Sequence, residues 1–302
     1  MKPVLLSAAL VVLLAGSWLL SGALVTHSDP LLVAAGRMGV CAVVLAGCAA
    51  LRPAHRAGLC ALARTPGSIA LVVVLALLGF AAYALGTLTA IERIGTSLTN
   101  LVVALLPCLS LALGALLFGQ RATLRQAAGA ALATAAAAGY ALGTGGGRPD
   151  ALGIGLALAA TLAFAGYGFV YRARLGEVPP AVTLPALLGA ATVLLVPFAL
   201  TVPAATPGQW AGIALLGGVV YAPAYVVQHR LILRRGPVFT AAVQLAVPFL
   251  VRLGDWALGN RDAPSLAELA LLCGALVGIA LVTMPSRTRD PPRTAPGVGH
   301  LR

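Results

Sequence analysis

Along this chain, uncharged apolar stretches of about 20 residues alternate with short gaps that collect arginine, proline and glycine. The stretches lie at 4–25, 30–51, 68–90, 95–118, 123–142, 151–171, 179–200, 209–229, 236–259 and 265–284. As a helix, each is long enough to cross a hydrocarbon layer of about 30 Å at about 1.5 Å per residue. Hydrocarbon offers no partner to a free backbone amide, so a segment that enters it must close its hydrogen bonds internally. The pattern therefore predicts an all-α integral membrane protein with ten transmembrane helices. The fifth stretch is rich in alanine, contains Gly129 and Gly139, and has the softest boundaries. The first exceeds the apolar run of a signal peptide, about 7–15 residues, and reads as a membrane helix. Turn chemistry fills the gaps, as in Gly143-Thr144-Gly145-Gly146-Gly147 and Pro203-Ala204-Ala205-Thr206-Pro207-Gly208. Residues 286–302 form a polar, proline-bearing tail expected to be disordered and cytoplasmic.

Composition agrees with that pattern: 60% of the 302 residues are hydrophobic, 9% are charged, and the mean hydropathy is +0.98. A soluble fold has no place to bury so much apolar surface. The net charge of +12 would suggest nucleic acid in a soluble protein, yet the basic residues sit in the gaps rather than along one helix face. Nucleic acid is therefore not an expected partner. Lysine and arginine accumulate in cytoplasmic loops. With the N-terminus inside and ten crossings, 15 of the 20 basic residues fall on the inner side. Only Arg93, Arg148 and Arg261 fall outside, while Arg37 and Arg252 lie within the membrane. Both termini are thus expected in the cytoplasm, with the protein multi-pass in the inner (plasma) membrane. Cys41, Cys48, Cys60, Cys108 and Cys273 show no metal-binding spacing, and read as small buried hydrophobes.

An internal repeat appears when residues 79–119 are laid on residues 220–259. Gly95 then falls on Gly236 and Pro107 on Pro248, both offset by 141. Phe118-Gly119-Gln120-Arg121 parallels Leu258-Gly259-Asn260-Arg261 with a one-residue slip. Five crossings per half is an odd number, so the second half enters the membrane with opposite orientation. Inverted repeats of this kind belong to secondary transporters, whose solute site lies between the halves. The expected units are 1–147, 148–285 and the tail 286–302.

The segment Leu216-Gly217-Gly218-Val219-Val220 through Leu231, with Arg235-Gly236-Pro237, Ala241-Ala242, Pro248 and Leu258-Gly259, resembles helices eight and nine of EamA-type transporters in the drug/metabolite transporter superfamily. In the first half, Trp18, Arg37, Gly95, Pro107, Gly119 and Gly129 match positions of that family's first, second, fourth and fifth helices. The resemblance covers nearly the whole chain. Where the family often carries Gly-Glu at the ends of helices four and nine, this sequence has Gly119-Gln120 and Gly259-Asn260. The resemblance implies an exporter of small metabolites, amino acids or drugs that works by alternating access and needs no cofactor or metal.

Ionisable groups at membrane depth are costly and mark functional positions. On the ninth helix Gln244, Pro248, Arg252 and Asp255 fall within about 80° of one another on a 3.6-residue wheel. By helical rise, Arg252, Asp255 and Arg37 lie within about 10 Å of the outer membrane boundary, with Asn100 near the same level. This arrangement suggests an outward vestibule for a zwitterionic or anionic solute, with Asp255 as the candidate proton carrier. The alternative is structural: Arg252 and Asp255, three residues apart, neutralise each other. Two aromatic stripes, Phe164, Tyr167 and Tyr171 on the sixth helix and Tyr221, Tyr225 and Gln228 on the eighth, offer a second site, with Tyr167 and Tyr221 the deepest. The candidate solute-binding residues are therefore Trp18, Arg37, Asn100, Tyr167, Tyr221, Gln244, Arg252 and Asp255. Gly274-x-x-x-Gly278 fits either a homodimer contact or close packing inside a monomer, with membrane lipid around it.

A membrane enzyme and a non-transporting scaffold are the competing classes. The chain has no H-E-x-x-H, G-x-S-x-G or Walker A motif, and its four histidines are scattered. A scaffold leaves the repeat and the intramembrane charges without a purpose.

Overall fold

Proline stands at the first position of many helices here, where its missing amide hydrogen leaves no bond unmade and its fixed φ suits the turn. In the computed structural model, residues 3–25, 27–120, 122–143, 150–259 and 263–284 are described. The helices are α1 (Pro3–Val25), α2 (Pro30–Ala50), α3 (Pro53–Arg64), α4 (Pro66–Ala76), α5 (Ala82–Val103), α6 (Leu106–Phe118) and α7 (Leu124–Gly143). They continue as α8 (Ala151–Leu175), α9 (Pro180–Ala199), α10 (Pro207–Leu215), α11 (Ala222–Arg235), α12 (Pro237–Gln244), α13 (Val247–Ala257) and α14 (Leu266–Thr283). Among the described residues there is no strand. The basic positions Arg121, Arg148 and Arg261 and the tail from 286 lie outside the described residues.

Among the described residues eight helical segments are long and apolar enough to cross a membrane. They coincide with eight of the ten apolar stretches. Of the other two, 95–118 is interrupted by a turn at Ala104–Leu105, leaving the shorter apolar helix Leu106–Leu117. The stretch at 123–142 is the alanine-rich one, and alanine contributes little hydropathy per residue. The gap at 52–65 is not a plain loop: it holds α3, whose Arg56 and Arg64 lie on its exposed surface while Leu62 packs against the core.

The expected gap near Arg93 is assigned helical, since α5 runs from Ala82 to Val103. Its neighbours nevertheless show that the chain turns back there. Tyr83 meets Phe164, Gly86 faces Ala160, and Ile94 lies against Gly153, an antiparallel course along α8. Leu106 and Ser110 then lie beside Phe164 and Ala165, and Gly114 faces Phe169, a parallel course. Outside this reversal Arg93 pairs with Asp150 at 3.2 Å. Hydrogen bonds from Arg93 and from the backbone of Leu152 and Gly153 hold the Asp150 carboxyl below its usual range.

Local features recur in the two parts of the chain. A π-helical turn at Leu77–Ala81 joins α4 to α5, and another at Leu216–Tyr221 joins α10 to α11. Turns at Ala104–Leu105 and Leu245–Ala246 precede Pro107 and Pro248. Thr65 and Thr206 cap the helices that Pro66 and Pro207 open. Reciprocal capping bonds join Thr123 to Gln126 before α7 and Ser265 to Glu268 at α14. The main packing pairs join early helices to late ones: α7 with α14, α5 with α8, α2 with α9, and α1 with α11 and α13.

The largest core cluster lies where α2, the first π turn, α8, α9 and α11 converge. Large apolar side chains also face outward, such as Val43 at 74%, Val193 at 72% and Leu116 at 81% exposure. Such a surface suits lipid rather than water. The same inversion corrects the cysteine reading. Cys41 is buried and donates to the Gly217 carbonyl at 2.9 Å, but Cys48 and Cys273 are exposed on apolar helices, where an apolar environment outside removes the pressure to hide them, and Cys60 is exposed on α3. The Gly274-x-x-x-Gly278 motif packs within the chain: a Cβ at Gly278 would lie 2.6 Å from the Ala133 nitrogen and the Gly129 oxygen of α7.

Candidate solute site among α2, α5, α8 and α11

Spacing of four places Tyr221, Tyr225 and His229 on one face, and a spacing of three to four does the same for Phe164, Tyr167 and Tyr171 on α8. The two stripes meet at the centre of the bundle. Tyr167 and Tyr171 pack edge-on to His229 with ring centroids 5.9 and 4.8 Å away. Phe80, from the first π turn, completes the cluster against Tyr167 and Tyr225, each at 5.5 Å. Gly79 makes that approach feasible, because a Cβ there would lie 2.5–2.8 Å from the Tyr167 ring.

His229 is 1% exposed and fully engaged. Its Nδ1 donates to the Tyr225 carbonyl at 2.7 Å, and Nε2 lies 2.5 Å from the Tyr167 hydroxyl. With Nδ1 donating, a neutral imidazole offers Nε2 as acceptor to the Tyr167 O–H. Tyr167→Phe would strand that nitrogen in a buried setting, at a cost of about 1–3 kcal/mol. The variant is expected to melt several degrees below the parent in detergent; an unchanged melting temperature would show that the bond contributes nothing.

Beside this cluster, Arg37 of α2 donates through Nη1 to the Tyr221 hydroxyl at 2.5 Å, with its guanidinium carbon 4.3 Å from the Tyr221 ring centroid. Tyr225, Cys41 and Tyr83 are within electrostatic reach. The Nε of Arg37 is buried and has no hydrogen-bond partner among the described residues. Among the described residues the ion pairs are Arg93–Asp150 and Arg252–Glu268, so no carboxylate neutralises Arg37. Desolvating a guanidinium costs several kcal/mol. A tyrosine hydroxyl and ring offset only part of that.

The structure brings Arg37, Tyr167 and Tyr221 into one neighbourhood, sets Gln244 beside Tyr167, and places Arg252 and Trp18 elsewhere. Arg252, 8% exposed, bonds through Nε to Glu268 at 2.9 Å, across from α13 to α14. Among the described residues its carboxylate partner is Glu268, held by the Ser265 cap. Gln244 lines a small cavity of about 20 Å³ with Ser110, Tyr167, Gln228 and Thr240. Trp18 of α1 is 47% exposed. The side chains of Asn100 and Asp255 lie outside the described residues. Sequence reasoning passed over His229, Phe80 and Tyr83. Only the i, i+4 relation of His229 to Tyr225 signalled the first. Among the described residues no three His, Cys, Asp or Glu side chains converge. The chemistry on offer here is recognition by charge, hydroxyl groups and aromatic surface.

Comparison with known proteins agrees with this architecture. A family model described as the EamA-like transporter family matches residues 1–142. A solved structure titled only "Crystal structure of protein" shares the fold, with a TM-score of 0.77 and 22% identity over 93% of this chain and 96% of the other. No curated protein matches the sequence.

Proposed function

We propose that this chain, whose residues 1–142 belong to the EamA-like transporter family of the drug/metabolite transporter superfamily, is a secondary transporter for a small solute bearing an anionic group. The observation that carries the reading is Arg37, a half-buried cation with a buried Nε and no carboxylate partner among the described residues, set against a wall of tyrosines. A carboxylate or similar group supplies the missing counter-charge, and the rings of Tyr83, Tyr221 and Tyr225 receive the rest of the solute.

In this reading the chain has ten crossings in two inverted five-helix halves, 1–147 and 148–285, with both ends in the cytoplasm of a cell whose inner membrane it spans. Support comes from the recurring π turns, helix interruptions and capping boxes, and from packing that joins helices of one half to helices of the other. The solute site then draws α2 and α5 from one half and α8 and α11 from the other, so relative motion of the halves exposes it to either side. Export is the favoured direction, by analogy with the family.

Metabolites released by cells with and without the protein identify the solute, and flux into liposomes containing the purified protein tests the transport. The expected result is saturable movement of an intact, anion-bearing compound. Chemical conversion of the compound, or no flux of any differentially released metabolite, would sink the proposal.

A further inference from the structure

We infer that the arginine-rich end of the bundle holds a second anion site, a docking station for a phosphate or carboxylate group on the way to Arg37. It is a cavity of about 240 Å³ whose lining includes Gln120, Gln126, Arg172, Arg235 and Pro237. The two arginines come from different helices, α8 and α11, and no acidic side chain is among the lining residues. Neither arginine forms an ion pair among the described residues.

Both guanidinium groups are positioned. Arg235 donates through Nη2 to the Thr283 carbonyl at 3.1 Å and lies 4.6 Å from the Phe239 ring centroid. Arg172 reaches over Gly236, whose φ of 93° turns the chain between α11 and α12; a Cβ there would meet Arg172 Nη1 at 2.9 Å. Basic residues are common at the cytoplasmic end of membrane helices. Topology alone, however, does not gather two of them with two glutamine amides around one cavity. Arginine forks match carboxylate and phosphate oxygens, and the amides add neutral donors.

The cavity adjoins a second, smaller one. Pro237 lines both it and the 20 Å³ cavity below, which reaches Tyr167 and Gln228 of the aromatic cluster. Between them Gly168 packs on Pro237, with a Cβ at Gly168 falling 3.0 Å from the proline Cβ. The docking role rests on the transporter reading, but the anion site itself does not. An anionic phospholipid headgroup and a free anion present the same chemistry to it.

Inorganic phosphate titrated into the detergent-purified full chain at constant ionic strength tests the site by thermal shift and calorimetry. A parallel arm measures retention of phosphatidylglycerol against phosphatidylcholine in nanodiscs. Saturable phosphate binding that weakens about tenfold in Arg172→Gln, and less in Arg172→Lys, is the expected result, from loss of one charge-assisted contact. Arg64→Gln, on exposed α3, should bind as the parent does. Phosphatidylglycerol retention that depends on Arg172, without phosphate binding, keeps the anion site, names the headgroup as its ligand and overturns the docking role. Because Arg235→Gln also removes a bond to α14, it is scored only if its melting temperature matches the parent. Should Arg172→Gln bind both probes like the parent, or Arg64→Gln lose as much, the site is overturned. Flux lost in Arg37 variants with phosphate binding intact would separate the two sites, whereas phosphate binding without any flux would retain the anion site and remove the transporter reading.

Discussion

Arg37→Gln is expected to lower the apparent affinity for the transported anion about a hundredfold in liposome flux, with the protein still folded. The magnitude follows from removing one partner of a desolvated charge pair, about 2–5 kcal/mol, taken near the lower part of that range because glutamine still donates a hydrogen bond. Folding should survive because the substitution also removes the desolvation cost of a cation that no carboxylate offsets among the described residues. Its hydrogen bond to Tyr221 is the main structural loss. Arg37→Lys keeps charge but not the planar fork, so it should fall between the two. Tyr221→Phe should cost less, since the ring stays and only the hydroxyl goes. If Arg37→Gln and the parent transport with equal affinity while their melting temperatures differ, Arg37 ties helices together and the solute binds elsewhere.

The reasons some of this was legible in the sequence and some was not are physical. Uninterrupted apolar runs report the solvent directly, so helices such as α2, α9 and α14 appear within a residue or two of their expected bounds. Periodicity also placed Tyr167 beside Phe164 and Tyr171, and Tyr221 beside Tyr225, on shared faces. It gives a face but not the neighbour that face meets, so it did not show that these stripes converge on His229. The histidine sits in Gln228-His229-Arg230, a polar stretch that reads as the end of a span, and its burial comes from Tyr167 and Tyr171 of α8 and Phe80 of the first π turn. Arg252 shows the same limit. Sequence proximity pointed to Asp255, whose side chain lies outside the described residues, and gave no sign of Glu268, which comes to Arg252 through the cap that starts another helix. The interruption at Ala104–Leu105 falls inside the run 95–118, which composition alone renders as continuous.

The packing of α7 on α14 sets the other large expectation: Gly278→Ala should destabilise the protein by about 3 kcal/mol, the upper part of the usual range for overpacking. A methyl at Gly278 would fall 2.6 Å from both the Ala133 nitrogen and the Gly129 oxygen, and a Cβ at Gly129 would fall 2.7 Å from the Gly278 oxygen. These are backbone atoms, which cannot rotate away as a side-chain tip does. The helices must separate, and in lipid, where no hydrophobic force draws them together, close contact is most of what holds them. Gly274→Ala is the internal control, since its Cβ would meet only the Ala136 methyl at an ordinary 3.6 Å and should be tolerated. The dimer reading of the motif predicts the reverse ordering of observables, with subunits dissociating while each monomer keeps its melting temperature. A Gly278→Ala protein that melts with the parent but elutes at half its mass would therefore overturn the intrachain account. In the proposed two-half architecture this contact also joins the last helix of each half, so rocking must pivot near it rather than open it.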